Sequence, residues 1–246
     1  MGSHRTNTVA VVSLAVALLF LALPSLARAE VVDFSGFPAG TVLAGVAPAG
    51  PVAGTLIAGF TMSGVNAGGG PDALVVFDSG APTGDDSDLG TPNADFGGPG
   101  LGLGGGQGQP GANDRALGNL VIVAEHIADD NGDGRVDAPD DEAGGGTLAF
   151  DFDELVTIER VVLVDIDADE TASVRLYRGE VLAVEISAAA LGNNSVQTLL
   201  SGFYPAVSRM EIVFSSSGAL AEFEYAPQPT PVETTSWGAV KATYSD

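Results

Sequence analysis

Within residues 129–142, DDNGDGRVDAPDDE, oxygen-bearing side chains recur at intervals suited to a hard cation. Asp129, Asn131, Asp133, Asp137 and Asp140 occupy positions 1, 3, 5, 9 and 12 of a twelve-residue window. Gly134 stands at position 6, where a loop wrapped round an ion turns sharply. Arg135, at position 7, has only its backbone carbonyl to offer. Val136 at position 8 is the apolar residue expected to tie the loop to a core. Carboxylates, one amide and one carbonyl at this spacing predict a Ca2+ site. The plain alternative is an acidic surface turn without metal. Carboxylates held this close repel one another, so an ion would order the loop and stabilise the domain by linkage.

Other residues with chemical potential are less sharply patterned. Asp85, Asp86 and Asp88 form a second acidic patch, within reach of Asn93 and Asp95. Asp165, Asp167 and Asp169 alternate beyond an apolar run, and side chains two apart share one face of a strand. Either group suits a second cation, or a solvated loop and a polar strand end. Cysteine is absent, which removes thiol catalysis, thiolate metal sites and disulfides. Of two histidines, His126 alone lies beyond the N-terminal leader, too few for a histidine-rich zinc site. Beside the acidic loop it reads as structural. There is no G-x-S-x-G elbow. The 32 acidic residues neither exclude nor select the carboxylate pair of a glycosidase. No catalytic residue and no organic cofactor is assigned.

The first 29 residues read as a secretory signal peptide. His4 and Arg5 precede the apolar run Thr8–Leu23, and Ala27-Arg28-Ala29 gives a small-x-small cleavage site. No later run is long and apolar enough to span a bilayer. Cleavage removes Arg5 and Arg28 and no acid, leaving seven basic against 32 acidic residues and a formal charge of −25. Such a surface repels nucleic acid and anionic membrane. It favours cations, salt tolerance or simple solubility.

What must position these residues is a β scaffold. Gly and Pro are abundant, and short apolar or alternating runs are bounded by Gly, Asn, Asp and Pro. Strands are expected near 31–34, 55–63, 73–77, 119–125, 146–152, 156–165, 173–178, 181–187, 196–199, 207–214 and 222–225. Leu148, Phe150 and Phe152 alternate with polar or small residues, so one face is buried, whereas 161–164 is apolar throughout and belongs in the sandwich centre. Gly179-Glu180 suits a type II′ hairpin turn. Residues 97–108, nearly all glycine, lack the Lys-Ser/Thr of a phosphate loop and read as a flexible surface loop. Residues 226–231, APQPTP, read as an extended linker. In the tail, Trp237, Val240 and Tyr244 fall at i, i+3 and i+7, the spacing of a short amphipathic helix.

The window 129–140 resembles the EF-hand loop, and more closely the loop of dockerin-type repeats, which often carry Asp at position 12. On that resemblance Asp129, Asn131, Asp133, Asp137 and Asp140 are ligands and Arg135 supplies its carbonyl. Pro139 and strand-like flanks depart from a helix–loop–helix, so a calcium loop inserted between strands is expected. The body from Asp33 to Tyr225 resembles bacterial extracellular β-sandwich modules of carbohydrate-binding type. The resemblance rests on Val32-Asp33-Phe34, Val76–Ser79, Asp88–Asn93, Asp140–Gly146, Asp165-Ile166-Asp167 and Gly192–Gln197. It implies a jelly-roll-like antiparallel sandwich. The tail is similar to short C-terminal S-W-G-hydrophobic-K-A-x-Y-basic segments that follow Pro-Thr linkers in some bacterial secreted proteins, carried here by Ser236, Trp237, Gly238, Val240, Lys241, Ala242 and Tyr244, with Ser245 departing from the basic position.

The expectation is therefore an all-β, jelly-roll-like sandwich over 30–225 with long inserted loops, a leader over 1–29, and a linker and tail over 226–246. It is expected to be exported, to bind Ca2+, and to act outside the cell or at its surface as a non-catalytic module for glycan or another surface component. Tyr177, Phe203 and Tyr204 are the candidate sugar-stacking rings. An envelope or matrix protein delivered by its tail, and a polysaccharide-active enzyme, are the alternatives.

Overall fold

The computed structural model describes residues 28–199 and 202–228. The expected signal peptide, apart from its last two residues, and most of the linker and tail lie outside them. Twelve strands form: β1 (Glu30–Val32), β2 (Val42–Ala47), β3 (Gly50–Val52), β4 (Phe60–Asn66), β5 (Ala73–Asp78), β6 (Asn119–Val123), β7 (Gly146–Ile166), β8 (Ala172–Arg178), β9 (Val181–Ser187), β10 (Gly192–Leu199), β11 (Tyr204–Phe214) and β12 (Ala219–Pro227). The helical content of the described residues is two short 3-10 turns, Ser87–Leu89 and Ala94–Phe96. No helix among them is long and apolar enough to cross a membrane.

Every strand pairing is antiparallel, and β7 organises them. Its first half pairs β4 on one edge and β11 on the other. Its second half pairs β10 and β12. The twelve strands thus form one curled sheet whose two layers share β7: β3-β2-β5-β6-β12-β7-β10, with β1 also on β12, and β4-β7-β11-β8-β9. The result is the expected all-β, sandwich-like fold. Two separate strands were expected, 146–152 and 156–165, but Asp153 and Glu154 continue the first into the second. Neither is Gly or Pro, so nothing ends the strand there. Irregular pairing on β11 around Ala206, at φ 61°, takes up the bend.

Strands β2 and β3 were not expected, because their Gly- and Pro-rich sequence hides them. Gly45 makes β2 possible: at φ 92°, a Cβ there would lie 1.8 Å from the Asp72 carbonyl oxygen. The hairpin β8–β9 turns at Gly179 with φ 58°, the positive angle that a type II′ turn needs at its first central residue.

Two apolar clusters flank the first sheet. Leu74, Val76, Val121, Val161 and Leu163 point between the sheets, where Phe60, Phe150, Phe152, Phe223 and Tyr225 pack edge-on or tilted with centroids 4.9–6.3 Å apart. Val75, Phe77, Ile122, Val162 and Val164 point the other way, against Leu89 and Val136 of the long loops. The uniformly apolar run 161–164 is therefore buried on both faces, one of them beneath a loop layer. That layer, residues 79–118 and 124–145, carries most of the acids of interest.

Residues 97–108 are part of this layer, and the expectation of a flexible surface loop is corrected. Gly104 and Gly105 are buried against β10, and both backbone N–H groups donate to the Asn193 carbonyl at 3.0 and 3.3 Å. A Cβ on Gly105 would lie 2.3 Å from the Asn194 carbonyl oxygen. The glycines permit backbone-to-backbone contact that any side chain would prevent.

Candidate functional site

The loop 129–137 is built so that its acids face inward. The Asp129 carboxylate accepts the N–H groups of Gly132 at 2.7 Å, Asp133 at 3.1 Å and Gly134 at 2.9 Å. Gly132 and Gly134 reach this arrangement at φ 76° and 84°. Asn131 Oδ1 accepts Asp133 N–H at 2.8 Å, and Asp133 Oδ1 accepts Arg135 N–H at 2.9 Å. The Asp137 carboxylate accepts the N–H groups of Asp130 and Asn131 and the Asn131 amide. Carboxylate oxygens of Asp129, Asp133 and Asp137 lie within 4.8 Å of one another. The Arg135 backbone N–H, with its guanidinium 2.7 Å away, holds Asp133 below its ordinary value.

Val136 anchors the loop as its position suggests. It is 3% exposed, sits in the outer cluster, and donates its N–H to Gly40 at 2.9 Å. Asp137 N–H closes the loop on the Ala128 carbonyl at 3.0 Å. His126 is local: its Nδ1 accepts Ala128 N–H at 3.3 Å.

Asp140 does not join this trio. It groups with Asp86 and Asp141, their oxygens also within 4.8 Å. Pro139 directs the chain away, and its carbonyl accepts Thr83 Oγ1–H at 2.9 Å. The six-donor set of the sequence is thus divided: Asp129, Asn131, Asp133, Arg135 and Asp137 in one loop, Asp140 in a deeper group. Asp141 N–H donates to Asp86 Oδ2 at 2.7 Å, and Asp141 Oδ2 accepts Gly218 N–H at 2.6 Å and Ser217 Oγ–H at 2.8 Å. Burial raises the Asp86 carboxyl far above its ordinary range, reinforced by the Asp141 charge; burial also raises Asp141.

The two remaining acidic groups also separate. Asp85 is exposed, Asp86 turns inward to Asp141, and Asp88 points elsewhere. Asp165 sits at φ 64°, which breaks the alternation that would have aligned it with Asp167 and Asp169. It is 1% exposed and accepts Asn194 N–H, and burial with the nearby Asp88 charge raises it to about 8.

Asn194 is the residue whose importance the sequence did not signal. It is fully buried at φ 64°. Its amide NH2 donates to the carbonyls of Asp88 and Gly90. Its Oδ1 accepts the amides of Asn93 at 2.6 Å and Asn113 at 3.2 Å. Only tertiary pairing brings four segments to this one amide.

Beside this network a cleft of about 780 Å³ opens between residues 101–109, residues 167–169 and the start of β10. Asp88, Asp167 and Asp169 line it with the amides of Gln109 and Asn193, and Leu101 and Leu103 form its apolar rim. Asn193 Nδ2 donates to Asp88 Oδ2 at 3.1 Å. Burial raises both Asp88 and Asp167, and the Glu170 charge adds to the effect at Asp167. Such a surface can hydrogen-bond hydroxyls from several directions while its leucines cover an apolar face.

None of the expected stacking rings lines this cleft. Tyr177 donates its hydroxyl to Glu211 at 2.8 Å, and Tyr204 lies within β11 against the inter-sheet core. Phe203 is the exposed ring of the three, at 75%. The chain matches no family model, and no curated protein matches it.

Proposed function

We propose that this chain is an exported, Ca2+-binding β-sandwich that acts outside the cell as a non-catalytic binding module, with glycan as its ligand class. The observation that carries the reading is the convergence of Asp129, Asp133 and Asp137 on one point of a loop pinned by Val136. Three carboxylates, the Asn131 amide oxygen and the Arg135 carbonyl are a hard-oxygen donor set of the kind Ca2+ takes. The ion supplies charge neutralisation; the protein's own residues orient the donors. Extracellular modules of this kind hold Ca2+ at roughly 10⁻⁴ to 10⁻³ M.

The glycan reading is supported by the cleft, whose carboxylates, amides and leucines match the mixed polar and apolar surface of a sugar. Two measurements test the pair of claims. Calorimetric titration of the chelator-treated protein with Ca2+ is expected to give one site that Asp133→Ala weakens at least tenfold. Absence of Ca2+ uptake overturns the metal reading. On a glycan panel, Asp88→Asn with Gln109→Ala is expected to abolish retention; a panel with no binder overturns the ligand class.

A second reading draws on the raised Asp88 and Asp167 in the same cleft, since carboxyls shifted upward in a cleft are characteristic of acid–base catalysis. Release of reducing ends from a polysaccharide, lost in Asp88→Asn, would favour it.

A further inference from the structure

The end of the sandwich opposite the acidic loops leaves apolar surface uncovered. Strand β9 is the outermost strand of its sheet, with its outer backbone edge unpaired among the described residues. Val181 and Leu182 are 68% and 44% exposed, Phe203 75% and Leu155 49%. All four belong to segments that meet at one end of the strands. Gly179 N–H donates to Ser208 Oγ and Arg178 to the Pro205 carbonyl, which sets the β8–β9 turn beside the start of β11. Val207 there pairs Val156, next to Leu155. Val181 also borders a cavity of about 440 Å³, whose other walls include Leu176, Arg178, Val184, Tyr204 and Val207.

The chain leaves the described structure at this same place. Pro227 pairs Val156 on the edge of β7 opposite to Val207, and Gln228 N–H donates to the Leu155 carbonyl at 2.9 Å. From β12 to β9 the order is β12-β7-β11-β8-β9, about 19 Å at ordinary strand spacing. From Gln228 to Trp237 the linker can reach about 28 Å if extended. The residues beyond carry Val232, Trp237, Val240 and Tyr244, the last three spaced to share a helical face.

We propose that residues 229–246 fold back in cis and lay Trp237, Val240 and Tyr244 over the apolar end formed by Leu155, Val181, Leu182 and Phe203. The tail covers the open edge of β9, the usual remedy for an unpaired edge strand. A short tether gives an effective concentration on the order of millimolar, so a contact too weak to hold a free peptide suffices in cis. This inference stands independently of the Ca2+ and glycan readings.

Trp237 is the chain's only tryptophan, so indole fluorescence reports the tail alone. In the full chain, emission is expected to be blue-shifted and acrylamide quenching at least threefold weaker than in a synthetic peptide of residues 229–246. Val181→Asp combined with Phe203→Ser, both at exposed positions, is expected to restore peptide-like emission and quenching. Should that variant unfold, a photo-crosslinking residue in place of Trp237 is expected to label residues 155, 181–182 or 203 within the same molecule. Peptide-like fluorescence in the unmutated chain, protection that survives in the folded double variant, or crosslinks elsewhere would overturn the proposal. Protection that grows with protein concentration would also do so, by identifying a second copy as the occupant.

Discussion

Asp133 carries two loads: it accepts Arg135 N–H, and it offers its remaining capacity to the point shared with Asp129 and Asp137. Without an ion its removal relieves repulsion and loses two exposed hydrogen bonds, both to Arg135, changes of opposite sign. Asp133→Ala is therefore expected to leave the melting midpoint nearly unchanged in chelator. In Ca2+ at a hundred times the dissociation constant it should forfeit up to about 2.7 kcal/mol of linkage stabilisation. Scanning calorimetry with and without Ca2+ checks this, and equal shifts in both would remove the metal claim. Asn194 is a purely structural counterpart. Asn194→Ala takes away the amide that bonds the Asp88 carbonyl, one of two donors to Gly90 and the acceptor of two amides, and adds αL strain, a cost of about 3–5 kcal/mol. Asn194→Gly should recover about 1 kcal/mol of that by relieving the backbone alone, which denaturant unfolding can resolve.

Among the elements, β7 and the glycine-rich segment 97–108 matter most. The first is a shared member of both sheets, so a defect in it is felt by both. Phe150→Ala removes a ring that packs on Phe60 and Phe223 and should cost about 3–5 kcal/mol by chemical denaturation. The second depends on contact distance. Gly105→Ala drives a methyl to 2.3 Å from the Asn194 carbonyl oxygen, so the segment must lift from β10. Faster amide exchange at residues 101–113 is expected, with strands β7 and β11 unaffected; uniform protection would mean that the contact is dispensable.

For the molecule as a whole, the buried acids set the pH dependence. Asp165 is raised to about 8, and Asp86 is raised further. Each keeps its proton in the fold at a pH where the unfolded chain has lost it. The native state then binds more protons, and stability falls as pH rises from about 4 towards 8. Carboxylates that are lowered, such as Asp133 and Glu222, act in the opposite sense below pH 4 to 5. Asp165→Asn keeps an acceptor for Asn194 N–H and removes the ionisable group. It is expected to flatten the decline between pH 5 and 8 and to stabilise the protein at pH 8. An unchanged pH profile in thermal melts would refute the assignment.

Alternating and apolar runs were enough to locate ten of the twelve strands in whole or part, because side-chain period is a local property. Oxygen spacing likewise marked the loop 129–137, whose conformation is closed by hydrogen bonds between near neighbours. Gly and Pro hid β2 and β3, which exist because of their partners rather than their own propensity. The rest was decided by contacts far apart along the chain. Asp140 goes to Asp86, Asp165 goes to Asn194, and the glycines of 97–108 meet β10, none of which leaves a local mark. Local spacing therefore determined where a cation could sit and which segments are strands. Only the tertiary structure decided which acids are buried together, because burial and long-range pairing are properties of the assembled sheets.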